Sequence, residues 1–418
     1  KLEPETHDAQ VDGLLAFVQE HGIRNALSVA AKLKSPHIED DLHRALVRYV
    51  AEGLPQKGFG PPEEVRYGLS LVLFEINPQA HGEGNEQGQP QKLADLLASS
   101  EQLYAGLMSL VGSSEGFSLE IAVPEGTEEA SLYLAVPRSK QQLAERLMSS
   151  VFPNARISEK RGDYNIFHAQ GEHAAAYATL ASHPVFPLKT PEMFEHDPMN
   201  VLLAAFAKIA KHGEGAAMQI VVGSEGNRYN DHYKHILREI EKGKSVAEAL
   251  TIAETEIGRQ FQKIGRDLWD EMTSSDRDRE HEHNSMRAGD KVAQEEIERK
   301  MRGRVAPAII RLVSSAPNQK RADELLAYLI APFSQYDDPK GNRFAFKKLG
   351  WWHLSGFLRD FTYRAFSHEY AMPLSLAEIT AIFHFTAEKV TTSRELKKSY
   401  AKQAPAPSAT LATFGGID

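Results

Sequence analysis

FSLEIAVPEGTEEASLYLAVPRSKQQLAERLMSSVF, residues 117–152, predicts a strand, a turn, a second strand and a helix. Alternation of apolar side chains with period two is typical of a strand. The alternating residues of the first strand are Phe117, Leu119, Ile121 and Val123. The helix is expected to begin near Ser139 and to end before Pro153, because proline lacks the amide hydrogen that a helix interior requires. The apolar face predicted for this helix consists of Leu143, Leu147, Met148 and Val151.

Outward from this unit, the apolar residues 65–76 predict a preceding strand. LADLLASSEQLYAGLMSLV, which begins at Leu93, predicts an amphipathic helix between the two strands. ARISE, shortly after Pro153, predicts a further strand. Residues 65–160 therefore have the element order β-α-β-β-α-β, which is the order of a ferredoxin-like module.

A second copy of the same unit is predicted downstream. GAAMQIVVGSE, from Gly215, has the pattern of GFSLEIAVPEG, and residues 307–333 match the second strand and helix of the first copy. YNIFHAQ or AAYATLASH is expected to supply the first strand, and Asp197-Pro198 is a favourable start for the following helix. The sequence thus predicts an α+β fold with a duplicated module. The two ferredoxin-like modules are predicted at residues 65–160 and at residues 161–225 with 305–350.

The remaining segments are predicted to be mostly helical. Residues 1–55 form a helical lead-in, and the charged residues 226–304 are expected to form helices that project from the sheet as an insert in the second module. Within that insert, residues 274–294 have almost no apolar side chains and are expected to be disordered or fully solvated. Residues 351–402 are an aromatic-rich helical segment, and residues 403–418 are an Ala/Pro-rich linker.

Composition excludes several classes of function. The chain has 418 residues, no Cys and a formal net charge of −9. Without Cys there are no disulfides, thiolate metal sites or Cys nucleophiles. The acidic balance argues against duplex binding by the body of the chain, because such proteins usually carry a basic face. The sequence has no apolar run long enough to span a bilayer.

Several motifs resemble reactive sites but have simpler explanations. His281-Glu282-His283 places its two histidines on different helix faces, and the pair His232 and His235 lacks the HExxH pattern of zinc proteases. The acidic run at residues 337–342 is explained by a turn, and the glycines match neither GxxxxGKS/T nor GxGxxG. We therefore predict no catalytic, cofactor-binding or metal-binding residue, and no small-molecule substrate is evident.

One group of residues is predicted to contact a partner. Aromatic side chains crowd residues 351–366, and a modest basic stripe follows before the linker. Aromatic residues in such a cluster favour a core or subunit contact over base stacking, because few basic residues interleave with them. The predicted contact residues are Trp351, Trp352, Phe357, Arg394, Lys397 and Lys398.

PLSLAEITAIFHF, residues 373–385, carries a resemblance to a known family. It resembles the segment that precedes the motor in P-loop ATPases of type IV secretion and conjugative DNA transfer, although Thr386 stands where that family usually has Pro. The matching residues are Leu374, Ser375, Glu378, Ile379, Ile382, Phe383, His384 and Phe385. The linker APAP at residues 404–407 and the stretch DPMN at residues 197–200 are similar to the same family.

The resemblance implies a non-catalytic region that organises oligomerisation or channel contact during DNA or protein transfer. The ATPase core would follow Asp418, so ATP and Mg²⁺ are implied only for that missing domain, and this chain is not itself expected to be an enzyme. The implied partners are further copies of the chain and secretion-channel or membrane proteins. The implied location is the cytoplasm, at the cytoplasmic face of the inner membrane.

Two other interpretations stay open on the sequence. The chain could be a stand-alone scaffold or protein-binding module without an ATPase domain, which reading the gene beyond Asp418 would decide. Direct nucleic-acid binding through the aromatic and basic C-terminal segment is the third interpretation. The net charge does not indicate it, and its salt dependence would test it.

Overall fold

In the computed structural model, the described residues are 6–51, 63–78, 93–112, 115–127, 129–153, 155–161, 163–224, 226–257 and 283–385. The helices are α1 (Thr6–His21), α2 (Ile23–Leu33), α3 (Pro36–Ala51), α4 (Glu63–Leu69), α5 (Leu93–Leu110), α6 (Gln141–Val151), α7 (Pro198–Phe206), α8 (Arg228–Glu241), α9 (Val246–Ile257), α10 (His283–Met301), α11 (Gln319–Ile330), α12 (Trp351–Thr362) and α13 (Leu376–Ile382). The strands are β1 (Leu71–Pro78), β2 (Gly116–Val123), β3 (Ser131–Pro137), β4 (Ala155–Glu159), β5 (Glu172–Leu180), β6 (Gly215–Gly223), β7 (Val305–Ala316), β8 (Phe344–Lys348) and β9 (Met372–Ser375).

The strands form one antiparallel sheet in the order β4-β1-β3-β2-β6-β7-β5-β8, and β9 pairs with β7. The two halves meet where β2 pairs with β6, in a register that runs from Gly116 opposite Gly223 to Val123 opposite Ala216. The α+β class expected from the sequence is thus observed. The strands predicted as two modules belong to one continuous sheet, because the edge strand of each half pairs with that of the other.

Both faces of the sheet are covered, so strands at its centre are buried on both sides. The alternating apolar residues of β2, which include Phe117 and Leu119, pack into a core with α5, α6, α7 and α11. The opposite face carries a second apolar cluster that contains Tyr133 and the buried side of α12, including Phe361. Glu120 points to that second face and is fully buried. A strand that alternates in sequence therefore has no solvated face here.

Several predicted elements have different bounds in the structure. The strand predicted from Val65 begins only at Leu71, and Val65 to Leu69 are helical. Val65 and Leu69 lie four residues apart on one face of α4 and pack against Tyr363, which explains the helix. On α6 the predicted core residue Leu143 is 49% exposed, and the buried positions are Ala144 and Met148.

The second half and the insert also depart from expectation. The first strand of the second half is β5, at the AAYATLASH stretch, whereas YNIFHAQ is irregular. Helices α8, α9 and α10 share a hydrophobic cluster with Val185 and Val305, so the described part of the insert packs onto the body of the protein. Helix α10 covers residues 283–294, part of the stretch that was predicted to be disordered or fully solvated. Residues 258–282 of the insert lie outside the described part of the chain.

The terminal regions are built on the same body. Helices α1 to α3 form a small bundle, whose core reaches α4 and Tyr363. The predicted helical segment 351–402 contains α12, then the short strand β9, and then α13. Strand β9 was not predicted. Residues 386–402 and the linker 403–418 lie outside the described residues.

Candidate functional site

The structure describes three of the six predicted contact residues, Trp351, Trp352 and Phe357. Trp351 and Trp352 begin α12, are 71% and 74% exposed, and stack with their ring centroids 3.4 Å apart. Phe357, on the same helix, is buried beneath them against Tyr177 and Tyr370 and does not share their surface. Arg394, Lys397 and Lys398 lie beyond the last described residue. Of the predicted contact residues that the structure describes, Trp351 and Trp352 are the exposed ones.

The segment that carries the family resemblance, residues 373–385, is anchored at its start by a capping box. Ser375 caps α13 by accepting a hydrogen bond from the backbone N–H of Glu378 at 3.2 Å, and the Glu378 carboxylate accepts one from the backbone N–H of Ser375 at 2.6 Å. Lys300 lies 3.3 Å from the same carboxylate, and both side chains are fully buried. Burial lowers the pKa of Lys300, and the charge of Glu378 opposes that shift.

The end of this segment joins both halves of the sheet. The Tyr104 hydroxyl, on α5 in the first half, donates to the carbonyl of Phe383 at 2.9 Å. His384 is fully buried, and its Nε2 lies 2.9 Å from an Oδ1 of Asp197, the N-cap of α7 in the second half. The structure thus brings residues 197–200 next to residues 373–385.

A buried network of charges lies on the α12 face of the central sheet. Arg364 donates to Glu120 from Nε at 2.8 Å and from Nη2 at 3.0 Å, and it donates to Asp163 at 2.8 and 3.0 Å. The Tyr164 hydroxyl donates to Glu120 at 2.7 Å. Burial disfavours the charged guanidinium, but Asp163 and Glu120 outweigh that effect and raise the pKa of Arg364.

The network continues across the β2–β6 seam. The Gln219 amide donates to Glu120 at 3.1 Å and accepts from Arg311 at 2.8 Å. Arg311 is fully buried, and it also donates to the backbone carbonyls of Ala365 and Asp360. Desolvation lowers the pKa of Arg311 to about 10, so it stays charged at neutral pH. These contacts hold α12 and the loop after it against the seam.

Part of this network has a signal in the sequence. Glu120 and Gln219 interrupt apolar strands at matching positions of the two copies, and Arg311 does the same in β7. A charged residue in an otherwise apolar strand is seldom buried unless it is paired, so these positions could have been singled out. Arg364 has no such signal, because it lies in a polar stretch between aromatic residues.

In the part of the chain that the structure describes, no group of three His, Cys, Asp or Glu residues could hold a metal ion. His281 and Glu282 lie outside that part. His232 is buried, whereas His235 is half-buried. Asp338 accepts a hydrogen bond from Arg299, and its backbone N–H donates to the Asn342 carbonyl at 2.9 Å, as in a tight turn.

No helix in the described part of the chain combines the length and the apolar character needed to cross a bilayer.

Comparison with known proteins identifies a family but does not give its function. No curated protein matches the sequence. The family described as Domain of unknown function (DUF8128) matches residues 82–398, which is more than half of the chain and includes every strand of the sheet except β1. The chain therefore belongs to the DUF8128 family.

Proposed function

We propose that this chain is a non-catalytic assembly region of a motor protein of the type IV secretion or conjugation kind. The observation that carries the proposal is the contact between His384 and Asp197, because it joins two separate stretches that resemble that family. Residues 373–385 are enclosed between the two halves of the sheet, so the chain leaves Phe385 from a fixed point. A region that positions a following motor domain needs such a fixed exit.

We also propose that the two halves are ferredoxin-like modules. Support comes from the strand orders β4-β1-β3-β2 and β6-β7-β5-β8. When each half is numbered from its own first strand and the second order is read in the opposite direction, the two orders are the same. In each half a helix follows the first strand and another follows the third. The insert α8 to α10 interrupts the second module between its second and third strands.

The surface proposed for assembly is the stacked pair Trp351 and Trp352, and its proposed occupant is a second copy of the chain. Tryptophan is enriched among the residues that dominate binding energy at protein interfaces. Both residues follow closely in the chain after β8, the edge strand of the second half, where a neighbouring subunit could approach without disturbing the sheet. The proposed place of assembly is the cytoplasmic face of the inner membrane.

Sedimentation equilibrium of the 418-residue chain tests the contact. The wild type should self-associate, and the double variant Trp351→Ala/Trp352→Ala should weaken association by about tenfold or more, since interface tryptophans often contribute 2 kcal/mol or more. The matched control is Leu143→Ala/Val201→Ala, which removes two exposed apolar side chains elsewhere and should leave association unchanged. A wild type that is monomeric at every concentration would count against self-assembly.

Two further observations test the motor relationship. The gene should encode a GxxxxGKS/T motif within about 50 residues after Asp418, as expected for a strand followed by a phosphate-binding loop. The chain itself should not hydrolyse ATP. Turnover that persists through repeated purification, or an early stop codon, would contradict the proposal.

A further inference from the structure

A basic cavity of about 300 Å³ lies at the outer end of the first half of the sheet. Its walls come from α3, the beginning of β1, the end of β3 and the loop that follows β4. Those elements are held together by the backbone, since Arg138 N–H donates to the Ser70 carbonyl and Lys160 N–H to the Leu73 carbonyl, both at 2.8 Å. The cavity is separate from the tryptophan pair and from residues 373–385.

The charges that line this cavity are mostly positive, although the whole chain is acidic. The lining contains two carboxylates, Glu159 and Asp163. The lining cations are Arg48, Arg138, Lys160, Arg161 and Arg364. An excess of positive charge in a concave site focuses the field and favours an anionic ligand.

Three of these cations have no neutralising neighbour in the part of the chain that the structure describes. Arg364 is paired with Asp163 and Glu120, and Lys160 lies 3.4 Å from Glu75. Among the residues that the structure describes, the side chains of Arg48, Arg138 and Arg161 form no ion pair or hydrogen bond. Arginine presents a planar fork of donors that matches the oxygens of a phosphate group.

His43 adds a buried donor to the cavity wall. It is 1% exposed, and neither of its ring nitrogens has a hydrogen-bond partner within the described residues. Its Nδ1 lies 3.7 Å from an Asp163 oxygen, too far for a hydrogen bond. A neutral imidazole always carries one N–H, and a buried donor without a partner is costly. A bound anion would satisfy it.

The backbone of the cavity is held in a conformation that side chains disfavour. Asp163 and Arg364 both have left-handed backbone angles, with φ of 54° and 53°. Such angles are uncommon for residues other than glycine and persist only where surrounding contacts fix them. The double hydrogen bond between these two side chains supplies those contacts and makes this wall of the cavity rigid.

We propose that this cavity binds a small anion with more than one phosphate group, with the forks of Arg48, Arg138 and Arg161 on the phosphate oxygens and His43 donating from the cavity wall. Several phosphates are inferred because three guanidinium groups that have no partner among the described residues line one cavity. The volume is at the lower end of that of small-molecule sites. Binding here requires neither self-association nor a motor domain.

Isothermal titration of the full chain with inorganic pyrophosphate tests the proposal. The wild type should bind pyrophosphate with a Kd of about 1 mM or below. The affinity of the triple variant Arg48→Gln/Arg138→Gln/Arg161→Gln should be lower by about tenfold or more. All three side chains are exposed, so the variant should fold. His43→Phe keeps an aromatic ring at this position but has no ring N–H, and it should weaken pyrophosphate binding by about threefold or more.

The matched control is Arg146→Gln/Arg156→Gln/Arg238→Gln, which changes net charge equally with exposed arginines that do not line the cavity. It should bind like the wild type. Equal loss in both triple variants would mean general charge attraction and would overturn the proposal, as would a wild type that does not bind pyrophosphate at low salt.

A second arm identifies the source of the phosphates. ADP that binds more tightly than pyrophosphate, with the same loss in the cavity variant, would support a nucleotide as the ligand. If ADP binds with the same affinity as pyrophosphate, the ligand is a free polyphosphate anion. A single-stranded oligonucleotide that binds through these arginines while pyrophosphate does not would overturn the small-ligand proposal.

Discussion

At the residue scale, His43 should make stability depend on pH. Burial lowers its pKa from 6.5 to about 4, and the charge of Asp163 only partly opposes this effect. Between pH 6.5 and 4 the unfolded histidine binds a proton that the folded one does not, so the free energy of unfolding falls as pH falls through that range. Above pH 6.5 this contribution is constant.

Replacing His43 by Phe should remove that dependence. The variant keeps the edge-on contact with the Tyr363 ring, whose centroid lies 4.7 Å away. Between pH 7 and pH 5 the wild type should lose about 2 kcal/mol more of its free energy of unfolding than His43→Phe. Urea unfolding at both pH values measures the difference. Equal losses in the two proteins would show that His43 is protonated in the folded state.

Arg364 should matter far more to stability than a surface arginine with the same kind of partner. Arg364→Met leaves Glu120 and Asp163 buried without a counter-charge, which should cost about 3–5 kcal/mol. Arg321 is the comparison, because it pairs with Glu214 at 2.7 Å but is 29% exposed. Arg321→Met should cost about 1 kcal/mol or less. Similar losses for both variants, measured by urea unfolding, would contradict a tightly paired buried network.

The same residues show what can be predicted from sequence. The apolar face of β2 followed from period two, and the structure places Phe117, Leu119 and their alternating neighbours in one core. Burial of Glu120 did not follow, because its partner Arg364 is 244 positions away. The pairing exists only after α12 and its following loop dock onto the sheet. Local pattern cannot carry such long-range information.

At the element scale, the β2–β6 seam depends on close backbone approach. Gly116 lies opposite Gly223, and a Cβ built on Gly116 would lie 2.3 Å from the Val222 carbonyl oxygen. Gly116→Ala should therefore force the seam apart and cost about 1–3 kcal/mol. Thermal unfolding checks this expectation, with Gly356→Ala as the control.

Gly356 is a suitable control because it lies inside α12 with open space around it. Alanine there should stabilise the helix by about 0.5–1 kcal/mol. The two glycine-to-alanine changes are thus expected to have opposite signs. A neutral Gly116→Ala variant would mean that the seam can open without loss of stability.

Elements of regular pattern were predicted, and elements defined by docking were not. The amphipathic helix α5 follows from its leucine spacing, and α7 from its Asp-Pro start. Strand β9 is only four residues long and contains Pro373, so it has no strand pattern of its own. It forms because β7 is long enough for one edge to pair with both β5 and β9. Only the tertiary structure brings that free edge within reach.

At the scale of the whole molecule, the fold should unfold as one cooperative unit. The sheet is continuous through the seam, and residues 373–385 accept a hydrogen bond from Tyr104 in the first half and contact Asp197 in the second. Element order within each half was predictable, because periodicity and the residues at turns and helix starts are local signals. Their joining was not, because pairing between β2 and β6 links strands about 100 positions apart, and neither strand's pattern names its partner.

Lys300→Met tests this coupling from a point that touches only one side of the molecule. The change leaves the buried Glu378 carboxylate without its counter-ion, and it should cost about 3 kcal/mol. If unfolding is global, amide hydrogen exchange in β3, in the first half, should accelerate by the same factor as in β7. Lys320→Met, at an exposed lysine, is the control and should change neither rate. Acceleration confined to β7 would mean that the halves unfold separately and that the seam does not couple them.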